Sequence, residues 1–121
     1  MVTNHESGIW GEELAAKFLR KKGFRIVQTR YRSRYGEIDI IASKGWILAF
    51  VEVKMRKSDR YGQAMEFVDE RKQARLITTA SFYLSENPTK LQPRFDIIEI
   101  YAPNGVLTSK PIINHLEDAF E

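Results

Sequence analysis

The sequence contains no cysteine and only two histidines, His5 and His115. The absence of thiols excludes disulfide bonds, thiolate metal sites and a cysteine nucleophile, so we expect the protein to work in a reducing cytoplasm. The two histidines are far apart in the chain and lack the spacing of metal ligands, which argues against a histidine zinc site or a histidine base. The chemistry of the chain must therefore rest on other side chains.

Long apolar runs, internal repeats and linkers are also missing. No apolar run approaches the roughly 20 residues of a membrane span, and the amino-terminal segment lacks the basic-then-apolar order of a secretory signal. The chain has 121 residues, of which 43% are apolar and 29% charged. These proportions are typical of a globular protein, so we expect a single domain over residues 1–121 and no association with membranes.

Acidic residues are missing from one long stretch of the chain. Residues 14–36 contain eight lysines and arginines but no Asp or Glu, whereas residues 111–121 carry only acidic charges. Such an uncompensated basic stretch is typical of polyanion binding, although solvated basic faces also occur in proteins that bind no nucleic acid. The predicted nucleic-acid contacts, in this stretch and beyond it, are Lys21, Lys22, Arg30, Arg32, Arg34, Arg56, Lys57 and Lys72.

Hydrophobic periodicity predicts two helices and four strands. Ser7 is the expected cap of the first helix and Gly23 its stop, and Asp69 is the expected cap of the second helix. The turn at Lys44 and Gly45 makes the second and third strands an antiparallel hairpin. The predicted elements are a helix over residues 8–22, strands over 24–31, 36–42 and 46–54, a helix over 69–85 and a strand over 94–101.

Two polar segments stay outside these elements. Residues 55–62 are predicted to form an exposed loop, and the tail from Lys110 onward shows no clear pattern beyond a helical turn near Leu116. The resulting order is αβββαβ, in which a crossover helix joins two strands of one sheet. We therefore predict an α/β fold with a mixed central sheet flanked by helices.

Two neighbouring strands carry the candidate catalytic residues Asp39, Glu52 and Lys54. Glu52 and Lys54 are two apart in a strand and so share one face, and the hairpin can bring Asp39 alongside Glu52. Two carboxylates are a sufficient protein contribution to a Mg²⁺ or Mn²⁺ site that also takes phosphate oxygens. The alternatives are a solvated strand face and a buried structural ion pair, since both carboxylates stand among apolar residues.

The segments GEIDII and FVEVKMR resemble the bipartite signature of the restriction-endonuclease-like superfamily, an aspartate followed by an acidic residue, one intervening residue and a lysine. Together with WGEELAAKFLRKKGF, the helix around Arg71 and Lys72, and RFDII, the chain is similar to the YraN family of uncharacterised, predicted endonuclease-like bacterial proteins over essentially its whole length. The resemblance implies an αβββαβ core whose metal ligands are Asp39, Glu52 and the backbone carbonyl of Val53. Ile38 stands where the superfamily often has proline.

The resemblance also extends to junction resolvases, in which a glutamate of the first helix joins the site, and this implies a role for Glu12. Helical periodicity places Glu12 at the flank of the apolar stripe, whereas Glu13 points nearly away from it. The alternative is that both are first-turn glutamates stabilised by the helix dipole. Glu12 is therefore a fourth candidate catalytic residue and metal ligand.

These observations predict a Mg²⁺- or Mn²⁺-dependent phosphodiesterase that acts on branched, flapped or damaged DNA, with Lys54 beside the attacking water. Sequence-specific cutting is less expected, because the chain has no separate recognition domain. Tyr31, Tyr35 and Tyr61 are candidates for stacking on unpaired bases, with packing in the core or at its rim as the alternative. A non-catalytic nucleic-acid-binding or scaffold module is the competing hypothesis, and a homodimer or a protein partner required for activity stays open.

Overall fold

The protein is described here by a computed structural model that covers residues 4–57 and 68–121, with the side chains of residues 4–7 excluded. The elements are α1 (Asn4–Lys21), β1 (Arg25–Ser33), β2 (Gly36–Lys44), β3 (Ile47–Arg56), α2 (Glu70–Glu86), β4 (Gln92–Tyr101), a 3₁₀ turn (Gly105–Leu107) and β5 (Ile112–Phe120).

The strands form one mixed sheet in the order β1-β2-β3-β4-β5. β1, β2 and β3 are joined by tight hairpins and pair antiparallel, whereas β4 returns through α2 and pairs parallel to β3. A parallel neighbour requires a crossover connection, and α2 is that connection. The predicted α/β fold with an αβββαβ core is confirmed.

The carboxyl-terminal segment differs from its prediction. Residues 112–120 form a full strand that pairs antiparallel with β4, with no helical turn at Leu116. The strand was not visible in the sequence because His115, which is polar, takes an inward position and breaks the alternation of apolar residues. Its side chain is nearly buried and bonds to Asp96 of β4, so a polar pair replaces the expected apolar contact.

Several predicted boundaries also move. α1 begins at Asn4, so Ser7 lies inside the helix and does not cap it. β3 continues through Met55 and Arg56, which were assigned to a loop, while the predicted loop residues 58–62, including Tyr61, fall outside the described part of the chain. The cap of α2 is confirmed, because the Asp69 side chain accepts a hydrogen bond of 2.8 Å from the amide of Lys72.

One helix covers each face of the sheet. α1 packs Ala15, Ala16 and Leu19 against a core that includes Val51 and Ile98, while α2 packs a second core on the opposite face. Among the described residues, neither helix is both long and apolar enough to span a membrane. The amphipathic pattern of each helix is therefore used to bury one side of the sheet.

Gly11 allows α1 to lie close to the carboxyl-terminal end of β3. A Cβ atom at this position would approach the Met55 side chain to 2.7 Å, which is closer than real Cβ contacts. The helix turn that carries Glu12 is thereby held next to the end of β3, where the candidate catalytic residues lie.

Candidate functional site

The site is built where β2 and β3 separate. Their ladder begins at the pair Ile40 and Val51 and continues toward the hairpin, so Asp39 lies just beyond the last paired residue. Asp39 Oδ2 accepts a hydrogen bond of 2.8 Å from the amide of Val53. The carboxylate therefore occupies the gap between two diverging strands and takes the place of a missing backbone partner.

The backbone of β1 is distorted beside this gap. Arg30 lies between the paired residues Thr29 and Tyr31 and has a left-handed φ of 53°. Across from it in β2, Ile38 and Ile40 are two apart but contact opposite cores. Regular alternation would place both side chains on the same face of the sheet. The alternation of side chains between the two faces is therefore interrupted at Asp39. A non-glycine residue held at positive φ is a costly conformation that often marks functional sites.

Glu52 and Lys54 share a face of β3, as predicted, and α2 adds a second lysine to them. Glu52 is buried, with 7% of its surface exposed. Its Oε1 atom lies 3.7 Å from Lys54 Nζ and 3.4 Å from Lys72 Nζ, so two ammonium groups contact one carboxylate oxygen. Lys72 reaches the site because it is in the first turn of α2, directly after the Asp69 cap.

A trio of carboxylates surrounds the Asp39 side of the gap. One oxygen each from Glu12, Glu37 and Asp39 lie within 4.8 Å of one another. Glu12 Oε2 accepts a 2.6 Å hydrogen bond from Arg30 Nε, and Glu37 forms a longer ion pair of 3.4 Å with Arg32. The structure thus places Glu12 at the site, as the resemblance implied.

Glu37 was missed as a site residue, although the sequence contained a signal for it. Glu37 and Asp39 are two apart at the start of β2, and residues two apart in a strand share a face. The same parity rule that grouped Glu52 with Lys54 would have grouped these two carboxylates.

Asp39 is the carboxylate of the site whose charged form is disfavoured by its surroundings. The pKa of Asp39 is raised to about 7, first by burial and then by the negative charges of Glu52, Glu12 and Glu37, against the opposing hydrogen bond from the amide of Val53. Glu12, Glu37 and Glu52 each contact a cationic side chain, but within residues 4–57 and 68–121 no lysine, arginine or histidine forms an ion pair with Asp39. Positive charge is therefore lacking at the centre of the cluster.

Four of the predicted nucleic-acid contacts lie near this centre. Arg30 and Arg32 pair with its carboxylates, Lys72 contacts Glu52, and Arg34 stands at the tip of the β1–β2 hairpin. Three of these four cations are therefore paired with carboxylates of the site.

The other four predicted contacts do not converge on the site. Lys21 and Lys22 lie at the far end of α1, about 14 Å along the helix from Glu12. Arg56 is buried and forms a 2.8 Å ion pair with Glu99, so its position does not favour contact with nucleic acid. Lys57 is exposed at the end of β3. The basic stretch seen in the sequence is thus divided between both ends of the sheet.

A second buried aspartate, Asp96 in β4, has the opposite environment. Arg94 donates two hydrogen bonds of 2.8 Å to its carboxylate, His115 Nε2 lies at 2.8 Å, and the amide of Asp118 donates at 3.1 Å. Burial opposes ionisation, but these donors outweigh it and the pKa of Asp96 is lowered. Lys22 Nζ bonds to His115 Nδ1 at 2.7 Å, which leaves the ring proton on Nε2 facing Asp96.

Comparison with known proteins gives one family. The profile described as "Uncharacterised protein family UPF0102" matches residues 11–100. A UPF0102 protein of Syntrophomonas wolfei is 42% identical over 118 residues, covering 97% of this chain and 99% of that protein. A UPF0102 protein of Alkaliphilus metalliredigens is 41% identical over 114 residues, covering 93% and 96%. A third, from Flavobacterium psychrophilum, is 39% identical over 120 residues, covering 99% and 98%.

Proposed function

The chain belongs to the uncharacterised protein family UPF0102, and from that premise we propose that it is a metal-dependent nuclease that hydrolyses DNA phosphodiester bonds. One observation carries the proposal: Asp39 is a partly buried carboxylate among three others and has no cationic partner in the described residues. Buried charges are normally paired or bound to a metal, and Asp39 is the carboxylate of the cluster that lacks such a partner within the described residues. The restriction-endonuclease-like assignment belongs to this proposal and is supported by the spacing of Asp39, Glu52 and Lys54.

The donors present fit a hard divalent cation. Asp39, Glu52, Glu12 and Glu37 offer only oxygen atoms, which Mg²⁺ and Mn²⁺ prefer, and the described part of the chain contributes no thiolate or histidine to the site. Asp39 and Glu52 would hold the cation, with Glu12 and the carbonyl of Val53 as further ligands. A cation bound there would supply positive charge to a phosphate oxygen and lower the pKa of a nearby water.

The lysines supply the remaining groups that hydrolysis needs. Lys54 and Lys72 both contact Glu52 Oε1, and Glu52 can release them when its oxygen is engaged elsewhere. Their ammonium groups then face the position of an incoming phosphate and can offset the charge that develops on it. Lys54 lies on the strand next to Glu52 and is the group we assign to orient the attacking water.

The proposed substrate is DNA recognised by its structure. The described residues contain two helices that both pack on the sheet and no further element that could read base edges. The cations near the site instead suit phosphates, which carry no sequence information. Branched, flapped or damaged DNA is therefore the substrate class that we propose.

The decisive experiment measures cleavage of a panel of junction, flap, single-stranded and duplex DNAs with Mg²⁺ or Mn²⁺. Wild type should cut at least one branched or flapped substrate, and Lys54→Ala should reduce its rate by at least about 100-fold. Lys90→Ala is the matched control, because Lys90 is an exposed lysine in the loop before β4. Equal cleavage by wild type and Lys54→Ala would show that the cutting comes from another site or from a contaminant.

A non-catalytic nucleic-acid-binding module is the second candidate, and one observation favours it. Glu12, Glu37 and Glu52 are already paired with cations of the chain, so most of the cluster is neutralised without a metal. Titration calorimetry with Mn²⁺ separates the two functions. Mn²⁺ binding and DNA binding without cleavage of any DNA in the panel would support the module and contradict the nuclease.

A further inference from the structure

A groove leads away from the site between the β1–β2 hairpin and α2. It has a volume of about 220 Å³ and begins beside the lysine that contacts Glu52. The residues that line it are Gly36, Glu37, Lys72, Arg75, Leu76 and Thr79. The groove is therefore continuous with the candidate catalytic site and shares Glu37 and Lys72 with it.

The wall formed by α2 is a stripe of residues three or four apart. Lys72 contacts Glu52, Arg75 is exposed in the groove, Thr79 lies against Gly36, and Phe82 packs against Tyr35. Residues at this spacing form one face of a helix. Within residues 4–57 and 68–121 no carboxylate forms an ion pair with Arg75, so its charge is available to an anion in the groove.

An exposed aromatic side chain, which forms a platform, stands at the hairpin tip, next to the groove residue Gly36. Tyr35 is 38% exposed, and its ring centroid lies 5.3 Å from that of Phe82. Arg34 lies over the Tyr35 ring at 4.9 Å and donates a 2.8 Å hydrogen bond to its hydroxyl. Tyr31, by contrast, is buried against Tyr83. Of the described tyrosines predicted to stack on bases, Tyr35 is therefore the exposed one.

The hairpin can approach α2 this closely because residue 36 is glycine. A Cβ atom on Gly36 would lie 2.9 Å from Thr79 Oγ1, and the φ of +148° is rarely adopted by other residues. The short distance holds the hairpin tip over the helix, so the platform and the cationic wall have a defined relative position.

We propose that this groove binds an unpaired strand of the substrate DNA that leads from the scissile phosphate to Tyr35. The proposal rests on the nuclease function and specifies its substrate class as DNA with a single-stranded segment next to the cut. Lys72 and Arg75 contact consecutive phosphates, and an unpaired base stacks against the pair formed by the Tyr35 ring and the Arg34 guanidinium. An aromatic side chain stacks on the exposed face of an unpaired base. The bases inside a duplex are stacked on one another and do not offer such a face.

The dimensions agree with a short strand. Lys72 and Phe82 are separated by about 15 Å along the helix axis, at about 1.5 Å per residue. That distance corresponds to at most about four nucleotides, at 3.4 Å for each stacked nucleotide. The base on Tyr35 is therefore expected within about four nucleotides of the cut.

Fluorescence anisotropy with single-stranded and blunt duplex DNA tests the platform. All proteins carry Lys54→Ala so that binding is measured without cleavage, and the added changes are Tyr35→Ala, Tyr35→Phe and Trp46→Ala. Tyr35→Ala should weaken single-strand binding by about 5- to 150-fold, the effect of losing one stacked base, and leave duplex binding unchanged. Tyr35→Phe keeps the ring and should bind as the parent protein does.

Trp46→Ala is the control for loss of an exposed aromatic side chain. Trp46 is 79% exposed in the turn between β2 and β3, at the opposite end of β2 from the site. Its replacement should change neither affinity. Thermal melting of each variant verifies the fold, and equal single-strand affinity of Tyr35→Ala and its parent would overturn the proposal.

A second variant tests the cationic wall independently of the hairpin tip. Arg75→Ala should weaken binding of every single-stranded sequence. It should also reduce the slope of the logarithm of the binding constant against the logarithm of the salt concentration by about one, whereas Lys90→Ala should change neither quantity. An unchanged salt dependence in Arg75→Ala would place the strand elsewhere.

The outcomes also separate this proposal from the nuclease function. If wild type cuts DNA but Tyr35→Ala cuts and binds single strands equally well, only the groove proposal fails. If wild type neither cuts nor binds any DNA, the proposed function fails and the groove proposal fails with it.

Discussion

Asp39 and Asp96 are both aspartates of the central sheet that lie largely away from solvent, yet their surroundings are opposite. Asp96 has no exposed surface and receives hydrogen bonds from Arg94, His115 and the amide of Asp118. Asp39 receives one hydrogen bond, from the amide of Val53. The pKa is lowered at Asp96 and raised to about 7 at Asp39.

The difference indicates that Asp96 contributes to the stability of the fold. At Asp96 the chain supplies the donors and positive charge that a buried carboxylate needs, and the network joins β4 to β5 and α1. At Asp39 the chain supplies three further carboxylates instead, and the cation of our proposal would provide the missing positive partner. The two carboxylates are thus distinguished by what surrounds them.

Both aspartates also lie beside strained backbone. Arg30, opposite Asp39, and Asp118, which donates its amide to Asp96, are the non-glycine residues at positive φ in the described chain, with values of 53° and 51°. At Asp118 the strained backbone directs an N–H group toward a carboxylate, whereas at Arg30 it accompanies the gap between β2 and β3. Strained backbone therefore occurs at both aspartates, and the difference between them lies in the surrounding charges.

The largest expected effect separates the two residues by activity. Asp39→Asn removes the proposed metal ligand but keeps the shape of the side chain, so cleavage should fall by more than the 10- to 100-fold that is typical for groups supporting a metal ligand. Asp96→Asn, measured below its melting temperature, should keep near-wild-type activity per folded molecule. Comparable losses in both variants would contradict the division into functional and structural carboxylates.

The next effect separates them by stability. Asp96→Asn leaves the Arg94 guanidinium without its buried partner and should lower the free energy of unfolding by about 3–5 kcal/mol. Asp39→Asn relieves repulsion among carboxylates and should raise the free energy of unfolding at pH 8. Urea denaturation of the two variants beside wild type measures this contrast, and a destabilised Asp39→Asn would contradict the charge deficit inferred at the site.

Metal binding provides a third comparison. Mn²⁺ at 100 times its dissociation constant should stabilise the wild-type protein by about 2.7 kcal/mol, and EDTA should reverse the effect. Asp96→Asn should be less stable than wild type without metal but should gain the same stabilisation from Mn²⁺. Asp39→Asn should gain no stabilisation from Mn²⁺. Differential scanning fluorimetry with and without Mn²⁺ is sufficient, and an increment retained in Asp39→Asn would place the metal at other ligands.

A fourth comparison is the dependence of stability on pH without metal. The folded protein keeps a proton on Asp39 up to about pH 7, whereas the unfolded chain releases it near the ordinary value of 3.8. The folded state therefore binds more protons in this interval, and the free energy of unfolding should fall as pH rises from about 4 to about 7, by at most about 1.4 kcal/mol per unit. The charged groups that face Asp39 are the carboxylates of Glu52, Glu12 and Glu37, and their negative charges contribute to its raised pKa.

Asp96 should act in a different pH range. Because its pKa is lowered in the folded state, its stabilising effect is present above the ordinary value of 3.8 and is lost as pH falls through the lower folded value. Denaturation at several pH values should show the fall between pH 4 and 7 in wild type and not in Asp39→Asn. The same slope in both proteins would assign it to other groups.

The sequence by itself determined the two helices, the first four strands and the group of Asp39, Glu52 and Lys54. Helical periodicity, strand parity and the capping side chain of Asp69 act over a few residues, so they can be read without knowing what packs against them. The resemblance added Glu12, which the structure places beside Asp39.

Only the tertiary structure decided the rest. Lys72 reaches Glu52 because the crossover places the start of α2 over the sheet. β5 has little alternation of apolar residues, and its polar face is satisfied by Asp96 and Arg94 of β4. The divergence of β2 from β3 and the left-handed backbone at Arg30 depend on how whole strands pair. Contacts between distant segments set the charge around Asp39, and local sequence patterns contain no information about those contacts.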